Sequence, residues 1–446
     1  MTISTRREFA RRGIVGLTAA WCAGAAGRSL GADDGPAKRE PRATSGDASE
    51  PNWQERFTIT VGPKQADLVG DSDRAIQAAV DYVARLGGGT VRVLPGEYRL
   101  RNAVYLQSRV RLVGSGADSI LIKEPSRSVK VAADSDWYDQ EITLADASGF
   151  RVGDGVAIRA KSPFHDERLV LKRTLVARSG NRFKVDRPLR EDIWIKGEPT
   201  ALSLFPILSG ENISDVVIEN ITLDGNKDNN ENFDGNYAGC IFLQDCNRIT
   251  MRGVESRNYN GDGISWQICH DVVVENCHSH NNAQLGFHPG SGSQRPIIRN
   301  SKSERNDQGI FFCWGVKFGL AERNQLIDNR SYGVSIGHCD TDNLVCDNEI
   351  VRSGKVGVLF RNESRAFAAH RNRIENNRII DSGPENGVGI DVQGETESIT
   401  IAKNSISETR QPMMRVGVRI GEKAKEVELA DNRIEGYAVA VADMRK

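Results

Sequence analysis

Along most of its length the chain repeats a glycine followed by alternating apolar positions. The pattern reads Gly239-Cys240-Ile241-Phe242, Gly263-Ile264-Ser265-Trp266, Gly286-Phe287-His288-Pro289, Gly309-Ile310-Phe311-Phe312 and Gly333-Val334-Ser335-Ile336. It continues as Gly357-Val358-Leu359-Phe360, Gly389-Ile390-Asp391-Val392 and Gly417-Val418-Arg419-Ile420. Successive glycines lie 24, 23, 23, 24, 24, 32 and 28 residues apart. A second series, Asn276, Asn300, Asn324, Asn348, Asn376, Asn404 and Asn432, keeps nearly the same step. Two series with one period of this size mark a solenoid. The alternation has period two and no helical stretch interrupts it, so each repeat is a rung of short strands. Rungs pairing in parallel give an all-β fold, a right-handed parallel β-helix. Residues one and three after each glycine point inward and stack; residues two and four point out. The asparagines are expected to form an internal ladder, with Asn276, Asn300, Asn324 and Asn348 in one column.

A solenoid must protect its ends. Near the N-terminus, Asp71-Ser72-Asp73 offers a helix cap, and Ile76, Ala79, Val80 and Val83 form an apolar stripe that stops at Gly87-Gly88-Gly89. From about Asp134 to Phe205 the rung pattern lapses. Glu141-Ile142-Thr143-Leu144, Gly155-Val156-Ala157-Ile158 and Arg182-Phe183-Lys184-Val185 there read as strands of a small inserted β subdomain.

The first residues read as an address. Thr5-Arg6-Arg7-Glu8-Phe9 precedes an apolar Ala- and Gly-rich stretch from Gly13 to Ala26, which resembles a twin-arginine export signal. The expected organisation is a signal peptide over 1–32, a polar linker over 33–52 and an N-terminal cap with the first rungs over 53–133. The inserted subdomain then covers 134–205 and the main β-helix 206–446. No later apolar run is long enough to span a bilayer. The net charge of -1 gives no reason to expect nucleic acid as a partner. After Cys22 seven cysteines remain, without a zinc-type spacing, and buried free thiols are expected. A bridge between Cys246 and Cys269 on neighbouring rungs is the alternative.

The run Ala75-Ile76-Gln77-Ala78-Ala79, Gly87-Gly88-Gly89-Thr90-Val91 and Pro95-Gly96-Glu97-Tyr98 resembles the N-terminal segment of the pectate-lyase superfamily. That resemblance implies a short helix plugging the first coil, and a carbohydrate as substrate. The polygalacturonase branch carries Asn-Thr-Asp, Asp-Asp, Gly-His-Gly and Arg-Ile-Lys motifs. Asn260-Gly261-Asp262-Gly263 is partly similar to the first, but Ala283-Gln284 or Asp307-Gln308 stands where the paired Asp belongs, and Tyr332 replaces the His. That mechanism is therefore not carried over.

A packed interior leaves only outer faces for chemistry. Four neighbouring rungs carry the candidate groups. His338, His288, Asp340, Arg361 and Glu363 are the expected catalytic residues, and Trp314, Lys317, Arg295, Asp342 and Phe311 the expected substrate-binding ones. One reading is β-elimination in a uronate-containing polysaccharide, with Arg295, Lys317 or Arg361 neutralising the carboxylate and His338 or His288 taking the C5 proton. A second is glycoside hydrolysis by Asp340 and Glu363 as paired carboxylates. A third is a non-catalytic carbohydrate-binding or surface protein. No cofactor or metal is expected. The only calcium candidate is the turn Asp224-Gly225-Asn226-Lys227-Asp228 with Asp234, which lacks the glycine and closing Glu of a calcium loop.

Overall fold

In the computed structural model, the residues described are 50–162, 164 and 167–445. The arginine pair, the expected signal peptide and nearly all of the expected linker lie outside the described residues. The rest is a right-handed parallel β-helix built on two long sheets of 22 and 11 strands. A central rung gives one strand to the smaller sheet, such as Asp262–Gln267, and two to the larger, such as His270–Glu275 and His278–His280. We call the 11-stranded sheet the main sheet.

The alternation seen in the sequence sets the packing. Ile264, Phe287, Ile310, Val334, Val358, Ile390 and Val418 lie one above the other in register, and all are buried. Burying each such side chain contributes about 1.5–3 kcal/mol relative to leaving it exposed. The repeated glycine has a steric cause. A Cβ on Gly263 would sit 2.1 Å from Ser279 Oγ, so only glycine lets the main sheet close onto the facing wall.

At the corner between the two strands that a rung gives to the larger sheet, one residue adopts the left-handed backbone. Asn276, Asn300 and Asn376 take φ values of 53°, 49° and 52° in such positions. The next residue turns inward and joins the ladder. The column therefore runs Cys277, Ser301, Asn324, Asn348, Asn377, Asn404, Asn432. Cys277 N donates to Ser301 Oγ, Ser301 N to Asn324 Oδ1, and each later asparagine donates both its N and its Nδ2 to the next Oδ1. This corrects the expected column. Asn324 and Asn348 belong to it, whereas Asn276 and Asn300 stand one residue early. Asparagine suits both the left-handed corner and the inward ladder position, so its spacing does not separate them.

The helix Asp73–Arg85 buries Ile76, Ala79, Val80 and Val83 against Val61 and Val91 of the first coil. A six-stranded sheet with antiparallel pairings interrupts the coil between Ser128–Lys130 and Thr200–Leu202, beginning earlier than the lapse in the rung pattern suggested. It has its own core of Ile142, Leu144, Ile158, Phe183 and Val185. Its Lys172 Nζ lies 3.8 Å over the Phe242 ring on the outer face of the main sheet and donates to Tyr237 O at 2.7 Å. Burial draws that ammonium down to about 8. Among the described residues no disulfide is formed, and Cys246 N donates to Cys269 Sγ at 3.4 Å.

Asn348→Ala should destabilise the chain by about 2 kcal/mol or more, because Asn324 N, Asn324 Nδ2 and Ala321 O each lose a buried partner. Asn300→Gly, one residue outside the same ladder, should shift stability by less than about 1 kcal/mol. Urea unfolding of the two variants checks the ladder register: equal losses would refute it.

Candidate active site

On the outer face of the main sheet Ser265, His288, Phe311, Ser335 and Leu359 form one column. Its regular appearance ends at Arg361, whose side chain folds back across the preceding rungs. The guanidinium lies 4.5 Å over the Phe311 ring. It donates to Ser335 Oγ at 2.9 Å, Phe312 O at 2.9 Å and Asp340 Oδ2 at 3.3 Å. Glycine at 337 permits this path, since a Cβ there would come within 2.4 Å of Arg361 Nε.

His338 stands beside it at the corner, half-exposed, with φ 47°. Its Nε2 is 3.2 Å from Glu363 Oε1, its Nδ1 3.4 Å from Arg361 Nη2, and its backbone N donates to Glu363 Oε2 at 2.7 Å. Cys313 Sγ lies 3.9 Å from Nδ1, and burial pushes that thiol up to about 12. Partial burial and the Arg361 charge hold the His338 imidazole below its ordinary value, with Glu363 pulling the other way. The ring is therefore neutral at physiological pH and has the form a general base needs.

Trp314, 55% exposed, lies 5.0 Å from the His338 ring and 6.1 Å from Phe367. Phe367 is carried there by a long turn after Phe360. Its carbonyl accepts from Cys339 N at 2.6 Å, which ties the turn down over the rung below. Exposed aromatic faces of this kind suit the apolar C–H patches of sugar rings.

Toward the N-terminal end of the face, His288 is only 3% exposed, and its ring packs edge-on against Phe311 at 5.4 Å. Its Nδ1 is 2.7 Å from Asp262 Oδ2 and 3.3 Å from Ser265 Oγ. Its Nε2 has no hydrogen-bond partner among the described residues. Ser265 Oγ also donates to Gly235 O at 2.7 Å, so the turn before Gly239–Gln244 roofs this pair.

The structure thus brings His338, Arg361, Glu363, Trp314 and Phe311 together, with His288 adjoining through Phe311. Other expected residues lie elsewhere. Asp340 is fully buried and not outward: Oδ1 accepts from Gly315 N and Val316 N, and Oδ2 from Gly337 N. Burial pushes its carboxyl up to about 7, against Arg361 and these three N–H groups. It holds the turns of two rungs and does not face the groove. Arg295 is paired through two bonds with Asp271, and Asp342 with Arg371, at the corners beyond the face. Lys317 is exposed and, among the described residues, in no ion pair. Sequence reasoning gave no role to Asp262 or Phe367. Asp262 had a signal, since it sits in Asn260-Gly261-Asp262-Gly263; for Phe367 the signal was the step of 32 after Gly357.

Among the described residues no group of three or more His, Cys, Asp or Glu side chains is placed to hold a metal ion. Asp224, in the calcium candidate, accepts from Arg257 Nε at 2.8 Å.

Residues 210–368 match the family described as the right handed beta helix region. Mannuronan C5-epimerase AlgE2 of Azotobacter vinelandii is 23% identical over 312 residues, which are 68% of this chain and 22% of that protein. The chain therefore spans about a fifth of the length of that curated relative. An exopolygalacturonase from Thermotoga maritima shares the fold with a TM-score of 0.50, at 13% identity, over 91% of this chain and 90% of that one. So does the Streptococcus pneumoniae surface adhesin PfbA, with a TM-score of 0.51 at 15% identity, over 86% and 93%.

The titration midpoint of His338, followed by its ring proton signals, should lie below the ordinary value of about 6.5. Glu363→Gln should lower it further, because the Glu363 charge, which favours the protonated ring, is removed. A midpoint that rises in this variant would contradict the assigned electrostatics.

Proposed function

We propose that the chain is an exported, carbohydrate-active β-helix enzyme that removes the C5 proton of a uronate residue in a polysaccharide, with His338 as the base. The observation that carries this reading is a half-exposed imidazole, fixed between Glu363 and Arg361 and flanked by the exposed Trp314 ring. Glu363 orients the ring. Partial burial, with the Arg361 charge, favours its unprotonated form, and Arg361 is itself committed to Ser335, Phe312 and Asp340. Lys317 supplies the cation left free to meet a substrate carboxylate, which acidifies the neighbouring C5–H.

In β-elimination the imidazole takes the proton from C5, the C–H electron pair becomes the C4–C5 double bond, and the bond from C4 to the glycosidic oxygen breaks. The departing oxygen then takes a proton. Paired-carboxylate hydrolysis is less well supported, because Asp340 is buried beneath the turn and cannot reach a glycosidic oxygen. A second outcome is favoured by the curated relatives, whose names place their action at C5 of mannuronan. The same first step followed by return of a proton to the other face of C5 would be epimerisation. Both outcomes require the same base.

Uronate polysaccharides should be turned over by the parent, giving either absorbance near 235 nm from unsaturated uronates or an altered ratio of C5 epimers. His338→Asn, which keeps a residue suited to the left-handed backbone, should lower turnover by roughly 100-fold or more. Its thermal midpoint should stay within about 3 °C of the parent's. Full turnover in the variant would end the assignment.

A further inference from the structure

The corner after the main sheet carries a column of left-handed residues that pair across rungs. Arg248 binds Asp215, Arg295 binds Asp271, and Arg371 binds Asp342. Between Arg295 and Asp342 the same position holds Phe318, with φ 56°. An aromatic residue in this conformation costs about 1–2 kcal/mol, and the ring is 40% exposed, so packing returns little of that cost. Four residues earlier in the same turn, Trp314 repeats the anomaly, with φ 67° and a still more exposed ring. Lys317 lies between them in sequence, exposed and in no ion pair among the described residues. In a column whose other members pair as Arg–Asp or, at Ser398 and Glu426, through a hydroxyl–carboxylate bond, one turn thus presents an aromatic, a cation in no ion pair among the described residues and a second aromatic.

We infer that the turn Trp314–Phe318 carries a second binding subsite, in which the Phe318 ring stacks on the sugar residue next to the one whose carboxylate meets Lys317 at His338, in the same acidic polysaccharide chain. The inference rests on the function proposed above, and three features support it. Trp314 already touches the His338 ring, so the surface is continuous with the site. The aromatic faces offer stacking area to sugar C–H groups, and Lys317, adjacent to Phe318 in sequence, anchors the carboxylate of the neighbouring uronate. Phe318 satisfies neither the backbone nor the neighbouring charges, as a structural residue in this column would. A chain bound this way leaves the main sheet at its edge and turns the corner, so affinity should rise when an oligomer is long enough to reach it.

The test uses the full chain in the His338→Asn background, where a bound oligouronate is not consumed. Phe318→Asn removes the ring and relieves the left-handed backbone. It should weaken the dissociation constant of a six-residue oligouronate about five-fold by calorimetry, without lowering the thermal midpoint. A single uronate residue, too short to span both subsites, should bind the two proteins alike. An unchanged dissociation constant for the longer oligomer would overturn the inference, as would a fall in thermal midpoint showing that the ring is structural. A Phe318-dependent change in molecular mass by sedimentation would also overturn it, by assigning the ring to contact with a second copy. Binding that depends on Phe318 in a protein whose parent leaves uronates intact would sink the proposed chemistry alone. Turnover by the parent with unchanged binding in the variant would sink this subsite alone.

Discussion

Each residue of the coil is constrained by the residue one rung away. Parallel pairing fixes neighbouring rungs about 4.8 Å apart, and the same contact recurs down each column. A side chain in the interior must suit the ones above and below, which is why the inward positions stay apolar and the ladder stays Asn, Ser or Cys. The glycines that let the main sheet close on the facing wall follow from the same spacing. An outer face built this way is a row of nearly identical positions. Chemistry enters where the row is broken.

The breaks here lie close together. Arg361 folds back over Phe311 and Ser335 instead of extending into solvent. His338 leaves the strand at a left-handed corner, and the long turn after Phe360 brings Phe367 beside Trp314. Asp340 secures the arrangement from below through three backbone N–H groups. The rigid floor matters for the proposed reaction, because a base held on stacked strands needs little reorganisation when the substrate arrives.

Strand interiors were legible from spacing from Gly263 onward, where the two-residue alternation states which side chains point inward. After Gly239 the count is one residue off, since Ile241 and not Cys240 stacks on Ile264 and Phe242 faces out with Ser265. The capping helix was legible too, because Ile76, Ala79, Val80 and Val83 lie on one helical face. Corners were not. There a left-handed residue is followed by one that turns inside, so strand alternation no longer predicts direction. That slip put Asn276 and Asn300 in the ladder and placed Asp340 on the surface. Arg295 and Asp342 look like free charges in the sequence, but each finds its partner a full rung away, 24 and 29 residues along the chain. His288 was identified without Asp262, which lies 26 residues earlier yet only 2.7 Å from its ring.

The central claim is that the C5–H bond breaks at this face. The most direct measurement uses a uronate polysaccharide carrying deuterium at C5 and follows the label into water by mass spectrometry. Release of the label by the parent and its near absence with His338→Asn are expected, whether the product is unsaturated or epimerised. New reducing ends with the label fully retained would contradict the account, because the glycosidic bond would then be cleaved without chemistry at C5.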